Sequence, residues 1–142
     1  MKTLIAILAT TASTAVAQDA FTTRLTADVP FAFHQGNNAM SAGRYSLKPG
    51  PAPRTMIFAY STGENLSQAI FSYDNAEPRN TGYLRFHCYE GGKCFLREAA
   101  LPGSTHKMVL PRGRIEAEYR RGSETRVTVV DTPLRATGVF AE

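Results

Sequence analysis

Through most of the chain apolar residues recur at every second position, the mark of half-buried strands, and turn formers interrupt them roughly every eight to twelve residues. Val29, Phe31 and Phe33 share one face ahead of a Gln35-Gly36-Asn37-Asn38 turn. Gly43 leads into Arg44-Tyr45-Ser46-Leu47, where Tyr45 and Leu47 again fall on one side. The run Pro49-Gly50-Pro51-Ala52-Pro53 cannot enter a central sheet, because proline has no amide donor, and reads as a stiff extended loop. Further strands are predicted over residues 55–60, 67–73, 83–89, 93–99 and 125–130. One helix is expected over residues 111–121: Pro111 suits a first turn, Ile115 and Tyr119 are spaced to share a face, and Gly122 can cap the end after Arg120-Arg121. Gly113 weakens that helix, so it needs the sheet to pack on. Residues 132–142 are weakly patterned and read as a loose tail or an extra edge strand. The fold class is all-β: a single-domain β-sandwich or small β-barrel of about seven or eight strands, with one short helix in the C-terminal half.

The amino terminus has a different pattern. Lys2, the apolar run Leu4-Ile5-Ala6-Ile7-Leu8-Ala9 and the small-residue site Ala15-Val16-Ala17 predict a secretory signal peptide over residues 1–17, leaving residues 18–142 as one β-rich domain. The run is too short for a bilayer span, which takes about 20 apolar residues, and no later run reaches that length. Gln18, where a lipoprotein would carry cysteine, argues against a lipid anchor. The protein is therefore expected to be exported, periplasmic or extracellular, with no transmembrane segment after cleavage. The chain carries 16 basic and 12 acidic side chains, and loses Lys2 with the signal. That mild positive charge suits envelope polysaccharide or another anionic surface, and no nucleic-acid partner is expected.

The best-defined local structure surrounds Glu90-Gly91-Gly92. A two-residue turn would set Cys88 against Phe95 and Phe86 against Arg97, mixing charge with apolar side chains. A three-residue loop sets Cys88 against Cys94 and Phe86 against Leu96, which sorts the faces; a one-residue slip would reverse them all. Directly opposed positions lie within disulfide range, and an exported protein meets an oxidising compartment, so a Cys88–Cys94 disulfide is expected. A redox role lacks a Cys-x-x-Cys motif.

On the other face Arg85, His87, Tyr89, Lys93, Phe95 and Arg97 interleave basic and aromatic groups. Such a face can hold a polyanion or stack on sugars. The plainer reading, an outer sheet face or one covered by the 111–121 helix, is favoured. The cluster Arg112, Arg114, Arg120 and Arg121 reads as a solvated helix face. His87 and Cys88 are adjacent in a strand and point apart, so no metal shell is assigned; His34, His87 and His106 read as surface or hydrogen-bonded imidazoles. No nucleophile elbow or triad is legible among the serines, and nothing selects an acid-base pair from Glu90, Glu98, Glu116, Glu118 and Asp131. Gly91-Gly92 lies in a β-turn rather than before a helix, so no phosphate loop is assigned. No catalytic residue and no cofactor are assigned. Asn65-Leu66-Ser67 fits an N-glycosylation acceptor.

Val29-Pro30-Phe31-Ala32-Phe33, Ala42-Gly43-Arg44-Tyr45-Ser46-Leu47, Leu84-Arg85-Phe86-His87 and Phe95-Leu96-Arg97-Glu98 together resemble the pattern of a group of small exported β-rich proteins of soil bacteria. Met40-Ser41 stands where that pattern has Leu-Pro, and the cysteine pair is an addition to it. The resemblance implies export and a β fold and brings no active site. The expected function is a non-enzymatic binding or structural module of the cell envelope or extracellular space. The rivals are a secreted hydrolase whose site forms only in three dimensions and a subunit of a strand-exchanging assembly, with residues 21–29 or the C-terminal segment as the donated strand.

Overall fold

The computed structural model describes residues 23–60, 67–121 and 126–139. The predicted signal peptide, Asn65-Leu66 of the glycosylation acceptor, and Gly122 lie outside them.

Among the described residues eleven strands make a nearly closed barrel, accompanied by one helix. The strands are β1 (Thr23–Val29), β2 (Phe33–Gln35), β3 (Asn38–Met40), β4 (Gly43–Pro49), β5 (Thr55–Tyr60), β6 (Ser67–Ile70), β7 (Ser72–Asn75), β8 (Gly82–Tyr89), β9 (Lys93–Ala100), β10 (His106–Val109) and β11 (Thr128–Val139), with helix α1 (Arg114–Arg121) between the last two. The hydrogen-bonded path β9-β8-β11-β1-β4-β5-β6 forms most of the wall. β7 continues β6 across Phe71 and pairs with β10, which returns to β9. Counting β6 and β7 as one bent strand, the wall matches the strand number read from the sequence. The β2–β3 hairpin lies against the first half of β9 through a parallel His34–Phe95 pairing.

Alternation fills the interior. Leu25, Ala27 and Val29 of β1, Tyr45 and Leu47 of β4, Met56 and Phe58 of β5, Leu84 and Phe86 of β8, and Leu96 and Ala99 of β9 form one core with Phe33 and Leu134. Phe86 is fully buried and meets Phe31 and Phe33 edge-on, at ring-centroid distances of 5.0 and 5.1 Å. The Tyr45 hydroxyl donates to the Ser41 carbonyl, which satisfies the polar end of a buried ring.

The C-terminal segment departs from expectation. Residues 132–139 are neither a loose tail nor an edge strand: Thr128–Leu134 pair with β8, and Arg135–Val139 pair with β1. Pro133 is tolerated in this strand because it lies before the stretch that β1 reaches, so only the β8 side is paired there. The strand predicted over 67–73 is instead two strands bent at Phe71, and β10 was not predicted. Among the described residues no helix is long and apolar enough to cross a membrane.

Candidate functional site: an outer face and a barrel seam

The hairpin register agrees with the sequence reading. Cys88 opposes Cys94, Phe86 opposes Leu96, and the two sulfurs are bonded. Gly91 and Gly92 both have positive φ, which the loop needs and glycine supplies without a Cβ clash. Beyond Leu96 the register shifts by a bulge that leaves Arg97 unpaired across the ladder and sets Arg85 opposite Glu98.

The six predicted face residues do lie on the outer side of β8 and β9, but they engage neighbouring side chains of the sheet and of α1. Arg85 donates to Asp131 at 2.8 Å through Nε and to Glu98 at 3.4 Å through Nη1. Its hydrogen bond to Asp131 raises the guanidinium pKa and lowers that of the carboxyl. Arg85 and Arg79 also flank the Tyr83 ring. Lys107 reaches Glu98 at 3.0 Å. Tyr89 and Phe95 are buried, with the Tyr119 ring of α1 near both, and the Lys93 ammonium lies over that same ring. His87 sits between Val129 and Phe95 in the cross-strand register, while His34 stacks on Phe95 from the far side. Burial lowers both imidazole pKa values; Lys93 adds to the effect at His34, and Arg97 at His87.

The organising group of this face is Glu116, which sequence reading left among five unselected carboxylates. It is 1% exposed. The Tyr89 hydroxyl donates to it at 3.0 Å, Arg97 at 3.4 Å, and Arg112 stands 3.9 Å away one helical turn earlier. Burial first, then the hydrogen bond to Glu116, raises the Tyr89 pKa; burial lowers that of Arg97. Arg97 Nε is, among the described residues, a buried side-chain polar atom without a hydrogen-bond partner. The available signal was the Arg112–Glu116 spacing at the start of a predicted helix, which puts the pair on one side of it.

A second region has the opposite character. Along the bent β6–β7 strand the ladder to β10 pairs Asn75 with His106 and ends at Ser72–Val109. Continuing that register would set Ile70 opposite Pro111, and proline has no N–H to give. The two chains diverge there, leaving a seam. The β2–β3 turn closes its far end: Asn38 donates to Ser67 Oγ at 3.3 Å, and the Ser67 hydroxyl donates to Gln35 Oε1. Asn37 Oδ1 accepts the Ile115 N–H at 3.3 Å and so caps α1. A Cβ on Gly113 would lie 2.8 Å from Asn37 Oδ1 and 2.9 Å from the Gly36 carbonyl carbon, so glycine lets these turns meet.

Two adjoining cavities open along the seam, of about 380 Å³ and about 410 Å³. Ile70 and Pro111 line both. Arg54 and Arg97 border the first, and Arg112 and Gln68 the second. Ile70 is 70% exposed. Arg54 has φ 56°, a left-handed conformation that is costly for a residue with a Cβ. Its carbonyl accepts the Phe71 N–H at 3.0 Å while its side chain stays exposed at the cavity rim. Sequence reading missed this region, which depends on strand register rather than on any local motif. The chain matches no family model, no curated protein and no solved structure.

Proposed function

We propose that this protein is a non-enzymatic exported binding module of the cell envelope or extracellular space, and that it holds an anionic ligand in the seam. The observation that carries this reading is the uneven compensation of charge. On the outer face Arg79, Arg85 and Lys107 each have an ion-pair partner in Asp131 or Glu98. Around the seam Arg54 lines the first cavity, whose lining has no carboxylate, and Arg112 lines the second while sharing Glu116, at 3.9 Å, with Arg97. Open concave sites lined by apolar groups and a few convergent polar ones are the usual form of ligand sites. The Cys88–Cys94 bond supports an oxidising compartment.

The test is calorimetric titration of residues 18–142 with polygalacturonate and with an acidic peptide, at low and raised salt, followed by the Arg54→Ala/Arg112→Ala double variant. The expected result is saturable binding of at least one probe, weakened by salt and reduced about tenfold or more in the variant. Binding of neither probe, or binding indifferent to the two arginines, would overturn the reading.

A further inference from the structure

We infer that the seam takes its ligand by strand addition: an extended acidic polypeptide segment of a partner protein pairs with the free edge of β6. This rests on the anion-binding reading above and names the class of ligand.

The main-chain parity of β6 fixes which groups are free. The Phe71 N–H donates to the Arg54 carbonyl on the β5 side, and the β5–β6 register sets Ala69 opposite Met56 and Ser67 opposite Phe58. In an antiparallel ladder the residues alternate between hydrogen-bonded and non-hydrogen-bonded pairs, so Ser67, Ala69 and Phe71 direct their main-chain groups to β5. Gln68 and Ile70 direct theirs the other way. The opposite edge agrees, since the Ala76 N–H donates to the Thr105 carbonyl at 2.9 Å, placing the even-numbered residues of this strand on the β10 side. There Ser72 still faces Val109. At Ile70 and Gln68 the β10 chain has diverged after Pro111, and among the described residues β6 pairs only with β5. Two N–H donors and two carbonyl acceptors therefore line the wall of the second cavity.

An unpaired strand edge is a template for another strand, and natural folds normally blunt or cover it. This one is short, at four residues, and opens into space on the scale of a few extended residues. The Ile70 side chain beside it offers apolar contact. Charge selects the guest. A second copy of this chain would bring further arginines to a rim that already carries Arg54 and Arg112, whereas an acidic strand would meet that rim favourably. Both β1 and β11, the segments expected as donated strands, are already paired within their own barrel. The chain is accordingly an acceptor rather than a donor.

A peptide alternating glutamate and valine is titrated against residues 18–142, beside the same peptide N-methylated at every second residue on either edge, and beside polygalacturonate. Strand addition predicts that the plain peptide binds and that N-methylation along one edge weakens it about tenfold or more, while methylation along the other edge does not. The Gln68→Pro variant, whose lost N–H is not used by β5, should weaken the plain peptide similarly without lowering the thermal midpoint appreciably; an Ile70→Ala variant controls for the apolar contact. Equal binding of all the peptides would overturn strand addition. So would binding of polygalacturonate in place of the peptide, an outcome that leaves the anion site standing. Sedimentation showing a concentration-dependent dimer closed through β6 would also overturn it, in favour of a second copy as the guest. Failure of every anionic probe would remove both this inference and the reading beneath it.

Discussion

The two sides of the barrel handle unpaired polar groups in opposite ways. Where β8 and β9 carry α1, the ladder runs from Tyr83 to Tyr89 with a single bulge at Arg97, the cysteines are joined, and the buried Glu116 carboxylate is held by Tyr89 and Arg97. Where β6 and β10 part company, β6 pairs with β5 alone among the described residues, and Arg54 and Arg112 border open cavities. The first arrangement supplies stability and leaves little for a ligand to complete. The second keeps Ala69, Phe71 and Leu110 in the core but leaves Ile70 and the arginines at an open rim, where we propose that the ligand sits. The difference traces to single residues: Pro111 lies where the β7–β10 ladder stops, whereas Cys94 and Leu96 pair with Cys88 and Phe86 in a ladder that continues.

Phe86→Ala, in the fully buried centre of the paired side, should cost about 3–5 kcal/mol in a urea titration; a loss below about 1 kcal/mol would mean that this side is not the core. Glu116→Ala leaves Arg97, whose side chain is only 12% exposed, without its carboxylate, with an expected cost of roughly 3 kcal/mol. Glu116→Gln, which can still accept from Tyr89, should cost less, and equal costs would deny the carboxylate its organising role. Replacing both cysteines by serine should cost about 2 kcal/mol, because the bond closes a short loop.

Acid should act on the paired side first. His34 and His87 have pKa values lowered from 6.5 by burial, so below about pH 6.5 the unfolded chain binds protons that the folded chain resists. Stability is thus intact above that value and falls as pH drops from it toward the lowered folded values. The groups facing His87 are Arg97 and Arg112, which favour the neutral ring, and Glu116 and Glu98, which oppose them. Asp131 enters only at lower pH: its contribution is present above 3.8 and is lost as pH falls through its lowered value. Denaturation midpoints at pH 7.5 and 5.5 should differ, and His87→Gln should shrink the difference. The smallest effect belongs to the seam. Ile70→Ser should alter stability by no more than about 0.5 kcal/mol, since that side chain is mostly in water already.

How much was legible follows the same division. The β8–β9 hairpin could be read from sequence because its alternation, its glycine loop and its two cysteines agree on one register. The helix could be placed from Pro111 and from the spacing of Ile115 and Tyr119, yet Glu116 could not be singled out, since burial of a carboxylate depends on Tyr89 and Arg97 meeting it from another element. Residues 132–139 were opaque because Pro133 and sparse apolar positions argue against a central strand. The strand survives because its two partners take it up in succession, leaving Pro133 paired on one side. The His106–Val109 strand is too short for its one buried apolar residue, Met108, to form a pattern. The seam was beyond reach for a further reason: Pro111 matters only once it is known to fall in register with Ile70.

The most direct measurement is residue-resolved amide hydrogen exchange on residues 18–142 without ligand. Within β6 protection should alternate: the Ala69 N–H, bonded toward β5, is protected, while those of Gln68 and Ile70 exchange orders of magnitude faster. Uniform protection of all three, at the level of His87 in the paired hairpin, would mean that the barrel closes through β6 and that the seam is not an open edge.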